Sequence, residues 1–303
     1  MALPNPVEFA IPLFGLAIAA ELWWMRAKGG VAYEPRDAAA SLTMGLGNFV
    51  FGLLTVGFVY LAFEWVHQFA LFDIGFQWWA FAAILFAEDF CYYWFHRLSH
   101  EHRVWWAAHV NHHSSQHYNL STALRQHWTG TIAFTWICWL PLSLAGFPTE
   151  LIFFQMGISL VYQFWIHTEA VRRMPAWFEY IFNTPSHHRV HHATNPKYLD
   201  ANYAGILIIW DRMLGTLVPE DDAEPCRYGI VKNLGSFNPL KIALHEWTAI
   251  FKDFARARTA KGKFMAFFGP PGWREDGKGS TSADIRRLWQ EKQDKPDLQL
   301  AAE

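Results

Sequence analysis

Five long apolar stretches constrain this chain more than any other feature. They run near residues 9–25, 45–66, 76–95, 128–147 and 151–166. Each approaches the roughly 20 residues that a helix needs to cross a hydrocarbon core of about 30 Å. One such stretch would suit the buried core helix of a soluble protein, but five edged by Trp and Tyr favour a membrane. The sequence therefore predicts an all-α, polytopic integral membrane protein with about five transmembrane helices.

The composition narrows the class further. Aromatic residues make up 17% of the chain and charged residues only 17%, while 15 His are present. These values are typical of a membrane protein that binds metal. A net charge of -2 argues against a nucleic-acid partner, and the three widely spaced cysteines form no recognisable motif. The N-terminus lacks the basic segment and cleavage site of a signal peptide, so we expect none to be removed.

Basic residues in the short loops predict which side of the membrane each loop faces. The loops after the first and third stretches carry most of them, namely Arg26, Lys28, Arg36, Arg97, Arg103 and Arg125. The loop between the second and third stretches and the turn at residues 146–150 carry none. This distribution predicts an external N-terminus and a cytoplasmic C-terminus. Both histidine-rich regions, residues 96–127 and 167–192, then share the cytoplasmic face.

The histidines form three groups at helical spacing. An HxxxH pattern is followed by two HxxHH patterns, in the order His96 and His100; His109, His112 and His113; His188, His191 and His192. Residues three and four apart share a helix face, so their imidazoles can converge on one metal ion. An adjacent pair of histidines lets one helical turn serve two neighbouring ions. We therefore predict a helical, histidine-rich cap that binds metal, built from residues 96–113 and 188–192.

The ligand type does not identify the metal, because imidazole suits zinc, copper, iron and nickel. The ligand number helps more: one structural zinc needs four ligands, whereas eight are enough for two ions with open positions. The alternatives are adventitious metal binding at a histidine-rich surface, or core histidines satisfied by hydrogen bonds. His167 stands alone after the fifth stretch, on the same predicted side as the other groups. We expect it to be a ninth ligand.

Three acids lie close to these groups. Asp89 is seven residues before His96, and therefore lies on the same helix face within an apolar stretch. A buried carboxylate needs a partner, and we expect an imidazole N–H or an arginine, an arrangement that orients metal-bound histidines. Glu88 points about 100° away from Asp89. Glu101 directly follows His100, and the sequence alone favours a surface charge.

With this histidine series the chain resembles the superfamily of fatty acid hydroxylases and sterol desaturases, which carries the same series. Four segments resemble its ether-lipid-cleaving branch, the alkylglycerol monooxygenases: HHSSQHYNLSTALRQ, YQFWIHTE, NTPSHHRVHH and NYAGILIIWDRMLGT. The resemblance implies a cytoplasm-facing di-iron site with two Fe ions, dioxygen as oxidant and a lipid substrate. It implies ligand roles for the eight motif histidines and a catalytic role for Glu101.

The resemblance also implies an electron donor, which in the animal members is tetrahydrobiopterin. The branch leaves alternatives open: an aminolipid or fatty acyl hydroxylase of bacterial type, or a sterol desaturase. Substrate, electron donor, oligomeric state and the assignment of each histidine to an iron are not fixed by the sequence.

Proteins of other classes use histidines differently. A metal transporter places its ligands near the bilayer midplane, a haem subunit needs one or two axial histidines, and a zinc hydrolase needs an open zinc with a general base. The sequence matches none of these patterns. We divide the chain into a membrane-embedded domain, residues 1–268, and a polar C-terminal tail, residues 269–303. The tail is rich in Gly, Pro and charge, and we expect it to be loosely ordered.

Overall fold

The computed structural model describes residues 3–29 and 33–294. Within these ranges the chain is helical without β-strands, which confirms the predicted all-α class. The α-helices are α1 (Pro6–Ala27), α2 (Pro35–His67), α3 (Trp78–Glu101), α4 (Arg103–His113), α5 (Leu140–Ala145), α6 (Thr149–Trp165), α7 (Ala176–Ile181), α8 (Pro185–His191), α9 (Ile209–Leu214), α10 (Pro239–Arg256), α11 (Ala260–Phe268) and α12 (Ser282–Gln293). Two 3-10 helices, Leu120–Leu124 and Thr135–Trp139, complete the structure.

Helices α1 and α2 have the length and hydropathy needed to cross a membrane. They contain 22 and 33 residues, with a mean hydropathy of 1.5 and 1.9 in their most apolar windows. The side chain of Asn5 accepts a hydrogen bond from Val7 N and so caps α1, whose first residue is Pro6. Both helices leave most of their apolar side chains exposed, as Leu13 of α1 and Leu54 of α2 illustrate. An apolar surface of this extent requires a membrane or a partner.

Helices α3 and α6 occupy two further predicted spans, residues 76–95 and 151–166. Both are helical, but α3 carries Glu88, Asp89 and Arg97, and α6 has only 17 residues. Among the described residues, α1 and α2 alone combine the required length with the required hydropathy.

The prediction of a single spanning helix at residues 128–147 is wrong. Residues 130–134 form turns, and a 3-10 helix and the six-residue α5 follow them. Phe134 has a left-handed backbone with φ of 57°, which ends any regular helix at that point. Pro141, in the first turn of α5, suits the start of a new helix rather than the middle of a long one.

The apolar core extends up to the histidines, because Phe95 belongs to it and its ring centroid lies 6.4 Å from that of His109. Phe63 of α2, Ile84 of α3 and Leu151 and Ile152 of α6 pack together and are fully buried. The histidine-bearing C-terminal end of α3, with α4 and α8, lies beyond this core. The hydrophobic packing of α2, α3 and α6 therefore fixes the framework from which the histidines project.

The described part of the C-terminal tail, residues 269–294, is more ordered than its composition predicted. Residues 282–293 form α12, which begins with a capping box between Thr281 and Asp284. Arg286 Nη1 donates a hydrogen bond to Leu199 O at 3.0 Å and ties α12 to the body of the chain. The division of the chain at residue 268 stays a prediction.

Candidate metal centre

The structure brings all nine predicted histidines into two adjacent groups. The five-histidine group contains His96, His100, His109, His113 and His191, and the four-histidine group contains His112, His167, His188 and His192. Within each group the ligand nitrogens all lie within 4.8 Å of one another, and every residue is buried. The two groups touch, because the stacked rings of His113 and His192 have centroids 4.3 Å apart.

The double histidines divide between the two groups. His112 and His113 are neighbours on α4 but point about 100° apart, so each faces a different group. His191 and His192, at the end of α8, divide in the same way. This is the arrangement that the HxxHH spacing predicted. His167, just past the end of α6, completes the four-histidine group.

Backbone carbonyls orient four of the imidazoles through Nδ1. His96 Nδ1 lies 2.8 Å from Tyr203 O, and His191 Nδ1 lies 3.0 Å from Ala201 O. The same contact joins His112 to Arg125 O at 3.3 Å and His167 to Gln163 O at 2.7 Å. A carbonyl only accepts, so each Nδ1 carries the proton and each Nε2 of a neutral ring presents a lone pair.

These lone pairs converge at distances that suit a shared cation. His112 Nε2 and His167 Nε2 are 3.0 Å apart, and His188 Nε2 is 3.0 Å from His167 Nε2. Two nitrogens at right angles, each about 2.1 Å from one ion, lie about 3.0 Å apart. Two acceptors at this distance repel each other unless a cation lies between them. The donor set therefore fits a pair of metal ions, one in each group.

The electrostatics of the centre favour neutral rings, the form that binds metal. Burial, together with neighbouring imidazoles, holds the pKa well below its usual range for His109, His112, His113, His188, His191 and His192. Burial lowers the pKa of His167 to about 4. These rings are therefore neutral near pH 7.

One segment, residues 200–211, supplies acceptors to three rings of the five-histidine group, and we call it the acceptor loop. Besides the carbonyls of Ala201 and Tyr203, it places Asp200 Oδ1 3.5 Å from His100 Nδ1. Asp200 and Asn202 both have left-handed backbones, with φ of 52° and 58°. The Asn202 side chain donates to His187 O and accepts from Val218 N, which offsets the strain of that conformation.

Two buried carboxylates hold the acceptor loop in place. Asp211 accepts from Tyr203 N and Ala204 N, both at 2.8 Å. Asp89 accepts from Ile206 N at 2.7 Å, from Leu207 N at 2.9 Å and from the Trp210 indole at 2.9 Å. The predicted partner of Asp89, an imidazole or an arginine, is therefore wrong. Asp89 supports the histidines through the backbone of the loop, because the N–H groups that it binds there satisfy its charge.

The other two acids lie apart from the histidines. Glu101 forms an ion pair with Arg97 at 2.8 Å on the surface, where its side chain is 42% exposed. Glu88 is fully buried and accepts from the Trp139 indole at 3.0 Å. Neither belongs to a histidine group.

Two buried ion pairs near the centre were not predicted from the sequence. Arg125 pairs with Asp37 at 2.5 Å, and so fixes the segment whose carbonyl orients His112. Arg189 of α8 pairs with Glu220 at 2.7 Å and also donates to Thr168 O, beside His167. An unpaired charge would be costly at these positions. In the sequence, the only sign of these ion pairs is that each arginine lies inside or near a histidine-rich segment.

A pocket opens onto the five-histidine group from the C-terminal side. The buried His100, His113 and His191 line it together with His192 of the four-histidine group, and the more exposed Val231, Pro271 and Ser282 form its rim. The rim residues lie outside the segment that carries the histidines, so the C-terminal region helps to enclose the centre.

In its described residues the chain combines helices, two of them long and apolar enough to cross a membrane, with nine buried histidines in two adjacent groups that could hold metal. Residues 81–216, which hold every one of these histidines, match the fatty acid hydroxylase family. The chain therefore carries a segment that is similar to a fatty acid hydroxylase domain, and both histidine groups lie within it.

Curated relatives show the same similarity. The chain is 37% identical to an alkylglycerol monooxygenase of Homo sapiens over 89% of its length, and 36% identical to that of Xenopus tropicalis over the same share. It spans 60% of the length of each of these two relatives. It is also 32% identical to an ornithine lipid hydroxylase, OlsE of Rhizobium tropici, over 44% of this chain and 40% of that protein. No solved structure matches the chain.

Proposed function

We propose that this chain is a membrane-bound non-haem di-iron oxygenase that hydroxylates a lipid with dioxygen. The observation that carries the proposal is the pair of histidine groups, five and four residues, whose nitrogens converge in two adjacent sets. The similarity to a fatty acid hydroxylase domain and the lipid-oxidising relatives support iron rather than zinc or copper.

Two iron ions, when bound, supply the chemistry that activates dioxygen for attack on an unactivated C–H bond. One oxygen atom enters the substrate as a hydroxyl group, and the other leaves as water after two electrons and two protons arrive from a reductant. The chain's share is to hold nine imidazoles in place and to bury them. Burial excludes water and so limits side reactions that compete with oxidation of the lipid.

Two substrate classes are supported by relatives. The alkylglycerol monooxygenases favour an ether lipid: hydroxylation of the carbon beside the ether oxygen gives a hemiacetal, which breaks into a fatty aldehyde and a glycerol derivative. The ornithine lipid hydroxylase favours addition of a hydroxyl group to an aminolipid, without cleavage. A tetrahydropterin is the reductant that we propose for the ether-cleaving reaction.

The membrane arrangement is part of the same proposal. We propose that α1, α2, α3 and α6 cross the bilayer, with the irregular segment at residues 128–147 beside α2. That segment follows α2 along its length: Asn48 bonds to His127 O, Thr55 lies 3.1 Å from Thr131, and Ser143 donates to Phe63 O. Irregular backbone is tolerated at membrane depth where protein surrounds it. The histidine cap then lies on the cytoplasmic side.

The reaction can be tested directly. Membranes containing the protein, incubated with a 1-O-alkylglycerol, a tetrahydropterin and oxygen, are expected to release fatty aldehyde. His112→Ala removes a ligand and is expected to abolish release, whereas His67→Ala, outside both groups, serves as the matched control. If iron-loaded protein gives no aldehyde but adds one oxygen atom to an aminolipid, the ether-cleaving branch is wrong and the hydroxylase stands. Bound iron without oxygen uptake would point to a metal-handling protein instead.

The orientation needs a separate experiment. A reporter that is active only in the cytoplasm is expected to work when fused after α12, and to be silent when inserted near Pro148, in a turn without basic residues. The reverse pattern would place the metal centre on the other side of the membrane.

A further inference from the structure

Helices α10 and α11 form a hairpin with an unusual exposed face, and we call residues 239–268 the α10–α11 hairpin. Leu240, Leu244, Phe251 and Phe254 follow one another at helical spacing along α10, and all four are exposed. Half-buried Trp247 lies on the same stripe. Phe264 and Phe268 of α11 extend this apolar surface and are also exposed. The opposite face of α10 packs inward through Ile242, Ala243 and Ile250.

The exposed charge of the hairpin has one sign. Its six basic residues are all exposed: Lys241, Lys252, Arg256, Arg258, Lys261 and Lys263. Its only two acids, Glu246 and Asp253, lie on the inward side, where both bond to Arg103 at 2.6 and 2.8 Å. An apolar stripe flanked by lysine and arginine is the pattern of a helix that lies in a membrane interface.

The hairpin lies where the apolar surface of α2 begins. Ile242 and Ala243 pack against Ala40 and Met44, in the first third of α2. At the same level of α2 its exposed apolar side chains start, with Leu42 and Leu46. The two apolar surfaces therefore meet at the same level of the molecule.

We propose that the α10–α11 hairpin docks on the membrane surface, with its aromatic stripe among the acyl chains and its basic residues on anionic lipid headgroups. A second copy of the chain is a poorer occupant, because pairing two such faces would bring like charges together. The chain as a whole has a net charge of -2, so this basic surface is local to the hairpin.

Docking would also brace the metal centre. Besides its two acidic partners on α10, Arg103 donates its backbone N–H to Gly269 O at 2.9 Å. His102 Nδ1 lies 3.0 Å from Phe268 O. Residues 102 and 103 form the corner between α3 and α4, which carry four members of the five-histidine group. The membrane-bound hairpin thus holds the corner from which these histidines project.

Spin labels can measure the depth of the hairpin in the full chain. In a background without Cys91, Cys138 and Cys226, a label is attached at Phe251→Cys or Phe264→Cys, with exposed Lys278→Cys as the control. The protein is placed in nanodiscs containing phosphatidylglycerol. We expect labels at 251 and 264 to collide more often with oxygen than with a water-soluble nickel chelate, and the label at 278 to show the reverse.

Charge reversal tests the role of anionic lipid. Each Lys or Arg near an anionic surface changes partitioning about fivefold. Lys252→Glu, Arg256→Glu and Lys263→Glu together are expected to lift the labels out of the bilayer. A matched triple at exposed positions outside the hairpin, Lys232→Glu, Lys278→Glu and Arg287→Glu, is expected to leave them in place, with the depth read at position 251. Discs of phosphatidylcholine alone are expected to give shallower labels.

Each other outcome overturns the proposal. Labels at 251 and 264 as water-accessible as the label at 278 would mean that the face is not covered by lipid. Spin–spin coupling between chains would mean that a second copy covers it. If the labels stay deep both in phosphatidylcholine discs and in the triple charge-reversal variant, anionic headgroups do not hold the hairpin, and that part of the proposal is wrong. Iron content, measured in parallel, reports whether each variant has folded.

Discussion

The five-histidine group and the four-histidine group are held in different ways. Three rings of the first face one continuous segment, the acceptor loop, whose shape depends on Asp89, Asp211 and Asn202. The second draws its acceptors from separate elements: Arg125 O after a 3-10 helix, and Gln163 O within α6. Its His188 has a buried Nδ1 with no hydrogen-bond partner among the described residues.

This difference predicts different responses to damage. A change that shifts the acceptor loop reaches several histidines of the five-histidine group at once, whereas the supports of the four-histidine group can be removed one at a time. Because partners outside the ligand shell orient metal-bound histidines, the two ions should be separable by mutation even though the groups touch.

Removing one ligand from each group is the largest expected effect. His191→Ala in the five-histidine group and His112→Ala in the four-histidine group should each abolish turnover and reduce iron from about two ions per chain to about one. Metal analysis of the purified protein measures this, with His67→Ala as the unaffected control. Full iron content and activity in either ligand variant would contradict the di-iron proposal.

The sequence could predict the ligands but not their supports. Ligand positions follow from spacing, since residues three and four apart must share a helix face, and the HxxHH pairs must divide between two directions. Asp89 was placed correctly as a buried acid, but its partners are backbone N–H groups more than 100 residues away, which carry no residue-specific signal. The apolar pattern predicted a spanning helix at residues 128–147, and it could not reveal the left-handed Phe134 that rules out a single regular helix there.

A matched pair of acid-to-amide changes sharpens the comparison. Asp211→Asn replaces a carboxylate that accepts two backbone N–H bonds in the acceptor loop, and Asp37→Asn removes the charge that pairs with Arg125. We expect Asp211→Asn to lower the affinity of the five-histidine group for its ion about 10- to 100-fold. We expect Asp37→Asn to lower the affinity of the four-histidine group by a similar factor.

Iron titration followed by a spectroscopic probe of each ion distinguishes the two sites. The Asp37 variant should also lose thermal stability, because Arg125 is left buried without its partner, at a cost of about 3–5 kcal/mol. If both changes lower the affinity for both ions equally, the centre responds as one unit. The claim that the two groups are held separately would then be wrong.

A smaller contrast is expected between the neighbouring acids of α3. Asp89→Asn weakens the hold on the acceptor loop, because an amide cannot accept from three donors as a carboxylate does. Glu88 accepts from one indole, and its second oxygen has no partner among the described residues, so Glu88→Gln loses little. Iron retention should therefore fall more in the Asp89 variant. Similar small losses in both would show that the loop keeps its shape without the charge.

The smallest effect is expected at Glu101, and it tests the resemblance rather than the geometry. The side chain is half exposed and pairs with Arg97 one helical turn earlier, an interaction that typically contributes only about 0.2–1 kcal/mol. Glu101→Gln should therefore leave iron content and thermal stability close to those of the unmodified protein, and Arg97→Gln, which breaks the same ion pair, is the matched control. If activity falls sharply in Glu101→Gln, while iron stays bound and Arg97→Gln remains active, the carboxylate acts in turnover without supporting the histidines. That result would assign it a role during the reaction which its resting position on the surface does not display, as the family resemblance implies.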